Sequence, residues 1–164
     1  MPALIPGAFF IVMNAKIRNA QPEDLDALVS LLEELFAIEA DFAVDTERQR
    51  KGLALMLDGC LKHRCVKVAE MDGQVVGMGT AQTLISTAEG GPVALIEDMV
   101  VRSDYRGKGI GRQLMASIEA WALKHDITRL QLLADRTNFS ALDFYDKIGW
   151  HPTQLICLRR KYNK

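Results

Sequence analysis

This chain of 164 residues has few cysteines and few histidines, and its net charge is close to zero. The three cysteines form no Cys-x-x-Cys pair, which argues against a disulfide framework or a zinc site. The three histidines have no metal-ligand spacing, so we expect no metal cofactor. The formal net charge of −1, with only a short basic run near the C-terminus, argues against a nucleic-acid partner. No apolar run could span a bilayer, so we expect no membrane partner and a cytoplasmic protein with reduced cysteines.

The first residues are predicted to lie outside the fold. Residues 1–12 are apolar but include Pro6 and Gly7, and no basic residue precedes them, so a signal peptide is not expected. Met13 is a plausible alternative start. We therefore predict an extension over residues 1–15 and one domain over residues 16–164, a length that suits a single core.

Hydrophobic periodicity predicts a mixed α/β (α+β) sheet with helices packed on it. The order β-α-α-β-β-β-α-β-α-β combines an antiparallel meander with one βαβ unit. Asp72-Gly73 predicts a two-residue hairpin turn. The predicted helices follow Pro22, Asp45, Gly111 and Asn138. The predicted strands cover residues 16–18, 66–71, 74–86, 93–101, 130–133 and 154–159.

A glycine-rich turn follows the apolar strand at 93–101. Its alternating glycines let backbone N–H groups approach a ligand, and the next helix adds its positive N-terminal end, which favours phosphate. Arg112 stands where a dinucleotide-binding fingerprint needs glycine, and the P-loop spacing is also absent. The alternative, a flexible connection, would not require three glycines. The turn consists of Arg106, Gly107, Lys108, Gly109, Ile110, Gly111 and Arg112.

The pattern Arg106-x-x-Gly109-x-Gly111 after an apolar strand resembles the signature of the GNAT superfamily of N-acetyltransferases. The resemblance spans residues 16–161, and the string over 96–111 is most similar to the diamine and polyamine acetyltransferase branch. It implies the GNAT-like acyl-CoA N-acyltransferase fold, acetyl-CoA as co-substrate and a homodimer. It also implies that pyrophosphate binds the turn and that pantetheine is bonded strand-like to Met99 and Val101, in the strand predicted at 93–101. The cofactor-binding residues it implies are Met99, Val100, Val101, Arg106, Gly107, Lys108, Gly109, Ile110, Gly111, Arg112 and Asn138.

Two acids interrupt the apolar strand at 93–101. Adjacent strand residues are expected on opposite faces, so Glu97 and Asp98 are not expected to form a carboxylate pair. An alkylammonium has a pKa near about 10, so amine acylation needs a group that accepts its proton. The resemblance selects Glu97 as this base, and the alternative is that Glu97 is a buried, paired structural acid. Asp98 is expected to have a structural role.

Tyr145 lies at helical spacing among apolar residues and by itself suggests a core tyrosine. The resemblance gives it a second role, because Asn138 and Tyr145 match a family pattern in which the tyrosine protonates the departing thiolate. We therefore expect Glu97 and Tyr145 to be the catalytic residues of a direct transfer in a ternary complex. No cysteine has a neighbouring histidine or acid in sequence, which disfavours an acyl-enzyme.

The acceptor is the open part of the prediction. The acidic stretch over residues 33–47 would favour a cationic amine such as a polyamine or an amino-acid-like compound, although a solvated helix face explains it equally well. Acetylation of a protein or peptide amine remains an alternative. So does a non-catalytic acyl-CoA-binding module, against which the presence of both Glu97 and Tyr145 argues. An RNA-directed acetyltransferase is disfavoured by the absent basic excess.

Overall fold

The structure is a computed structural model that describes residues 14–60 and 62–162. Its centre is a five-stranded sheet in which the strands follow one another in chain order. The strands are β1 (Lys16–Asn19), β2 (Arg64–Met71), β3 (Gln74–Ser86), β4 (Gly91–Val101) and β5 (Leu130–Leu132). The α-helices are α1 (Leu25–Phe36), α2 (Thr46–Asp58), α3 (Ile110–Lys124) and α4 (Phe139–Lys147).

The predicted meander and βαβ unit are both confirmed. β1 to β4 pair antiparallel in sequence, and β5 returns parallel to β4 after the α3 crossover. The hairpin turn between β2 and β3 is also confirmed: Asp72 and Gly73 have φ angles of 50° and 76°, as two-residue hairpins of this type require. The mixed sheet with packed helices is therefore the architecture that the periodicity predicted.

The core has two layers, one on each face of the sheet. On one face, leucines of α1 and Leu53 of α2 pack against Val66, Val68 and Met78. On the other face, α3 covers the sheet through side chains that include Met115. The central strands are consequently buried on both sides, which explains their long apolar runs.

The predicted last strand, residues 154–159, is wrong. The structure shows no strand there, and Leu155, Ile156 and Leu158 are 87%, 75% and 86% exposed. A strand forms only where a neighbouring edge completes its hydrogen bonds and a layer covers its apolar side chains, and this segment has neither. Arg159 instead lies 5.0 Å above the Phe42 ring in the α1–α2 connection.

Among residues 14–60 and 62–162, no helix is long and apolar enough to cross a membrane. Within the same ranges, no cluster of histidine, cysteine or acidic side chains could hold a metal ion. Of the predicted extension, residues 1–13 lie outside the described residues, and the boundary at 15/16 stays a prediction.

Candidate active site

The sheet opens between β4 and β5. β5 pairs with β4 only along Ala94–Ile96, so beyond Ile96 no strand among residues 14–60 and 62–162 covers this edge of β4, which we call the free edge. The N–H of Arg102 donates to the Val76 carbonyl of β3 at 2.8 Å. Backbone groups alternate in direction along a strand, so those of Val101 and Met99 point away from β3 and into the opening. Because the Val101 carbonyl accepts a hydrogen bond from Arg106, an extended amide-bearing chain can pair with the Val101 N–H and with the backbone groups of Met99.

Backbone N–H groups collect where β4 leads into α3. Gly107 and Gly109 have φ angles of +71° and +82°, a region that glycine adopts without strain. Gly109 is the N-cap of α3 and brings no side chain to cap it, so the first-turn N–H groups of Ile110 and Arg112 face outward for a ligand. The helix dipole adds positive potential, which makes this turn an anion site.

The third glycine of the turn lies beside α4. A Cβ atom on Gly111 would lie 3.4 Å from two ring atoms of Phe144. That is an ordinary van der Waals distance, so the contact shows only that Gly111 lies next to Phe144 of α4.

Two basic side chains of the turn are held by protein groups. Arg106 donates from Nε to the Val101 carbonyl at 2.7 Å and from Nη2 to Glu34 Oε1 of α1 at 3.0 Å. Lys108 Nζ donates to the Asp104 carbonyl at 2.9 Å. These contacts brace the turn against α1 and the end of β4, so the backbone N–H groups rather than these side chains define the anion site.

A β-bulge interrupts β4 close to this opening. Between two regularly paired positions, β3 has the single residue Thr80, whereas β4 has two residues, Glu97 and Asp98. Such an insertion breaks the in-and-out alternation of side chains and re-aims those at the bulge.

The bulge brings the two acids to the same face, so the expected placement on opposite faces is wrong. Thr80 Oγ1 donates to the carboxylate of Asp98 at 3.1 Å, and Gln82 Nε2 donates to that of Glu97 at 3.4 Å. Thr80 and Gln82 are two residues apart on a regular strand and so share a face. Ala81 between them packs on the α3 side, which places both carboxylates on the α1 and α2 side.

The two carboxylates differ in environment. Glu97 is exposed, whereas burial, followed by the charge of Glu97, raises the pKa of Asp98 to about 6. The hydrogen bond from Thr80 acts in the opposite direction. A carboxyl group with a pKa near neutrality exchanges protons readily under working conditions. Asp98, which sequence reasoning treated as structural, is thus part of the candidate site.

The α1–α2 connection contributes a third carboxylate. Burial is the largest cause of the raised pKa of Asp98 and of Tyr145, and the charge of Glu39 raises both pKa values further. Its own pKa is raised by burial and then by the neighbouring Asp135 and Asp41. Sequence reasoning had marked the whole acidic stretch at 33–47 and had no signal that singled out this residue.

Other acids of that stretch have structural partners. Glu33 accepts a hydrogen bond from Thr46 Oγ1 at 2.9 Å, and Asp45 caps α2 by accepting the N–H of Arg48 at 3.1 Å. Glu34 forms an ion pair with Arg106 of the glycine-rich turn. Within the acidic stretch at 33–47, Glu39 therefore remains the main candidate for contact with an acceptor.

α4 supplies the remaining predicted residues. Asn138 is its N-cap and accepts the Ala141 N–H at 3.1 Å, as the sequence indicated. Tyr145 packs against Trp150 and the α3-side core, and burial raises its pKa to about 12, so it is protonated at neutral pH. It is therefore a potential proton donor.

Comparisons with known proteins give the family of this chain. The sequence pattern described as the acetyltransferase (GNAT) family matches residues 32–150. The chain belongs to the GNAT acetyltransferase family. An uncharacterized N-acetyltransferase of Archaeoglobus fulgidus is 34% identical over 131 residues, which cover 79% of this chain and 88% of that protein. The aminoalkylphosphonate N-acetyltransferase of Salmonella typhimurium is 29% identical over 136 residues, covering 82% and 84%.

A solved structure shares the GNAT fold. AAC(6')-Iy in complex with the bisubstrate analogue CoA-S-monomethyl-acetylneamine superimposes with a TM-score of 0.75 at 18% identity, covering 92% of this chain and all of that one. The chain is therefore an acetyl-CoA-dependent N-acetyltransferase. Its free β4 edge and its outward N–H groups at α3 suit the amide-bearing and phosphate-bearing parts of acetyl-CoA, respectively.

Proposed function

We propose that this acetyltransferase acetylates a primary amine of a small cationic molecule, such as a polyamine or an amino-acid-like compound. The observation that carries the proposal is the placement of Glu97 and Asp98 on one face beside the β4 opening, where the charge of Glu39 also acts on Asp98. Carboxylates in partly buried surroundings attract and orient an ammonium group. The aminoalkylphosphonate N-acetyltransferase relative, whose name states a small amine substrate, agrees with this acceptor class.

We propose direct transfer in a ternary complex. The amine loses a proton to Glu97, directly or through water, and its nitrogen then attacks the thioester carbonyl carbon. The carbon–sulfur bond breaks, and the acylated nitrogen, which still carries one proton more than the product amide, releases that proton to solvent. The thiolate of coenzyme A takes the hydroxyl proton of Tyr145, which solvent restores. An exposed carboxylate suits the first step and a protonated tyrosine suits the last. The bisubstrate analogue bound by AAC(6')-Iy is consistent with two substrates held together.

The donor residues are assigned in the same proposal. Met99, Val100 and Val101 hold the pantetheine arm along the free edge, and Asn138 contacts it from the start of α4. The turn from Arg106 to Arg112 holds the pyrophosphate, chiefly through backbone N–H groups. Support comes from the N-terminus of α3 and from the missing β5 partner beyond Ile96.

A kinetic panel tests the acceptor. Thiol release from acetyl-CoA is measured with spermidine, putrescine, lysine, ornithine, 2-aminoethylphosphonate, an aminoglycoside and a peptide with a free N-terminus. We expect the highest kcat/KM with a small multiply charged amine, and a fall in kcat/KM with rising salt because charged contacts are screened. Preference for the peptide would favour the alternative acceptor class and contradict the proposal.

We also propose a cytoplasmic homodimer. The exposed Leu155, Ile156 and Leu158 provide apolar side chains that a second copy would cover. The described cysteines, Cys60, Cys65 and Cys157, are free thiols, as expected in a reducing compartment. Light scattering with the full chain and with a chain truncated after residue 152 tests the assembly; a monomeric full chain contradicts it.

A further inference from the structure

A buried threonine lies directly under the carboxylate pair. Thr80 is 1% exposed and is the buried polar side chain of the described core, whose other buried members are apolar. Buried hydroxyl groups are retained where they satisfy hydrogen bonds that an apolar residue would leave unmade. Its position in the middle of β3 would otherwise suit valine.

The hydroxyl of Thr80 makes two hydrogen bonds to one residue. It donates to Asp98 Oδ2 at 3.1 Å and accepts the Asp98 N–H at 3.0 Å. The second bond satisfies the backbone N–H that the bulge displaces from the regular ladder. The first fixes the rotamer of the carboxylate. One side chain thus holds both the backbone and the side chain of Asp98.

Three groups act on the Asp98 carboxylate. Glu97 lies next to it on β4, Thr80 donates a hydrogen bond to it from β3, and Glu39 acts on it through its charge from the α1–α2 connection. Tyr145 of α4 is close enough to feel the same Glu39 charge. Among these groups, Thr80 is the hydrogen-bond donor, and the two glutamates oppose the ionised form of Asp98.

We propose that Thr80 is a positioning residue for acetyl transfer, because its hydroxyl holds Asp98 ionised and aimed at the acceptor amine. The proposal rests on the acceptor side of the proposed function. It assigns Thr80 no contact with substrate. Its effect reaches the reaction through the orientation and the proton affinity of Asp98.

The test compares Thr80→Val and Thr80→Ala, which remove the hydroxyl, with Thr80→Ser, which keeps it. Thr83→Val on the same strand controls for loss of a threonine hydroxyl elsewhere. The pKa of Asp98 is measured on the free protein by NMR of 13C-labelled aspartate carboxyl groups, with Asp98→Asn to assign the signal. The pH dependence of kcat/KM is then measured with the best amine of the panel.

We expect Thr80→Val and Thr80→Ala to raise the Asp98 pKa by about one unit or more, since a hydrogen bond to a carboxylate is lost. The acid limb of kcat/KM should move to higher pH by the same amount, while Thr80→Ser and Thr83→Val keep the wild-type values. If Thr80→Val does not fold, Thr80→Ala, which also lacks the hydroxyl, still provides the test. An unchanged Asp98 pKa, or an unchanged acid limb, in the folded variants would overturn the proposal.

The two proposals fail in different ways. A wild-type enzyme that acetylates no amine of the panel would contradict the proposed function. The NMR titration needs no acceptor, so it would still decide whether Thr80 controls Asp98.

Discussion

The proposed donor side and the proposed acceptor side of the site consist of different kinds of chemical group. The donor side consists of backbone groups: the free edge of β4 and the first turn of α3. The acceptor side consists of side chains brought together by a bulge and by a chain connection. Backbone groups bind acetyl-CoA, which is the same co-substrate in every such enzyme. Side chains can be substituted in evolution to suit a different acceptor. The two halves should therefore respond differently to substitution.

The largest expected effect is on the acceptor side. Glu97→Gln should lower kcat/KM for the amine by about 10²-fold at pH 7, because general-base assistance is lost. The loss should shrink toward pH 10, where the amine is already neutral. Steady-state kinetics across this pH range measure it, with Glu89→Gln in the β3–β4 turn as control. Equal activity of both variants would remove Glu97 from the reaction.

Substitution of Tyr145 tests the proposed proton donor, which would lie between acetyl-CoA and the acceptor amine. Tyr145→Phe should lower kcat by about 10- to 100-fold, because the thiolate loses its proton donor while the ring packing remains. The KM for acetyl-CoA should stay the same. Tyr105→Phe is the matched control, since Tyr105 lies just before the glycine-rich turn and has no proposed role in proton transfer. Single-turnover kinetics isolate the chemical step, and an unchanged rate there contradicts the assignment.

A matched pair of glycines tests the donor side. Gly107 and Gly90 have φ angles of +71° and +67°, and no atom would contact an added Cβ at either position. Valine at either site adds backbone strain of about 1–3 kcal/mol. Only Gly107→Val should raise the KM for acetyl-CoA, by about tenfold, as the N–H groups are displaced. The same rise in Gly90→Val would show that general destabilisation is responsible.

Glu39 tests whether the chain connection belongs to the acceptor side. Glu39→Gln should raise the KM of a cationic amine about threefold to tenfold, as one charge contact is lost, with acetyl-CoA unaffected. Glu33→Gln serves as control because Glu33 bonds Thr46 instead. Equal KM values in both variants would place Glu39 outside the acceptor site.

The smallest effect is on stability. Burial raises the pKa of Asp98 to about 6, so the folded protein holds this proton more tightly than the unfolded chain. Wild type therefore loses stability as pH rises from the unfolded pKa of about 4 through 6. Asp98→Asn should match wild type at pH 4 and exceed its Tm by a few degrees at pH 7.5. A constant Tm difference across this pH range would contradict the raised pKa.

The difference between backbone and side-chain groups also explains which parts of the site could be predicted from the sequence. Glycine spacing records a backbone conformation directly, so the turn at 106–112 and its position before α3 were predictable. The bulge was not, because Glu97 and Asp98 look like a regular alternating pair until the register with Thr80 is known. The position of Glu39 depends on how the α1–α2 connection folds. Residues 154–159 form no strand because no neighbouring strand pairs with them in the structure. Neither property can be predicted from the local sequence pattern.

The bulge also explains an odd spacing in β4. Ile96 and Met99 both face α3 although they are three residues apart, since the strand contains one residue more than its partner at this point. Deleting one of the two acids would restore regular alternation and leave both apolar side chains in the core. On these geometric grounds, the loss of one residue at the bulge would leave the register of β3 and β4 on either side of it unchanged, although it would remove one carboxylate from the site.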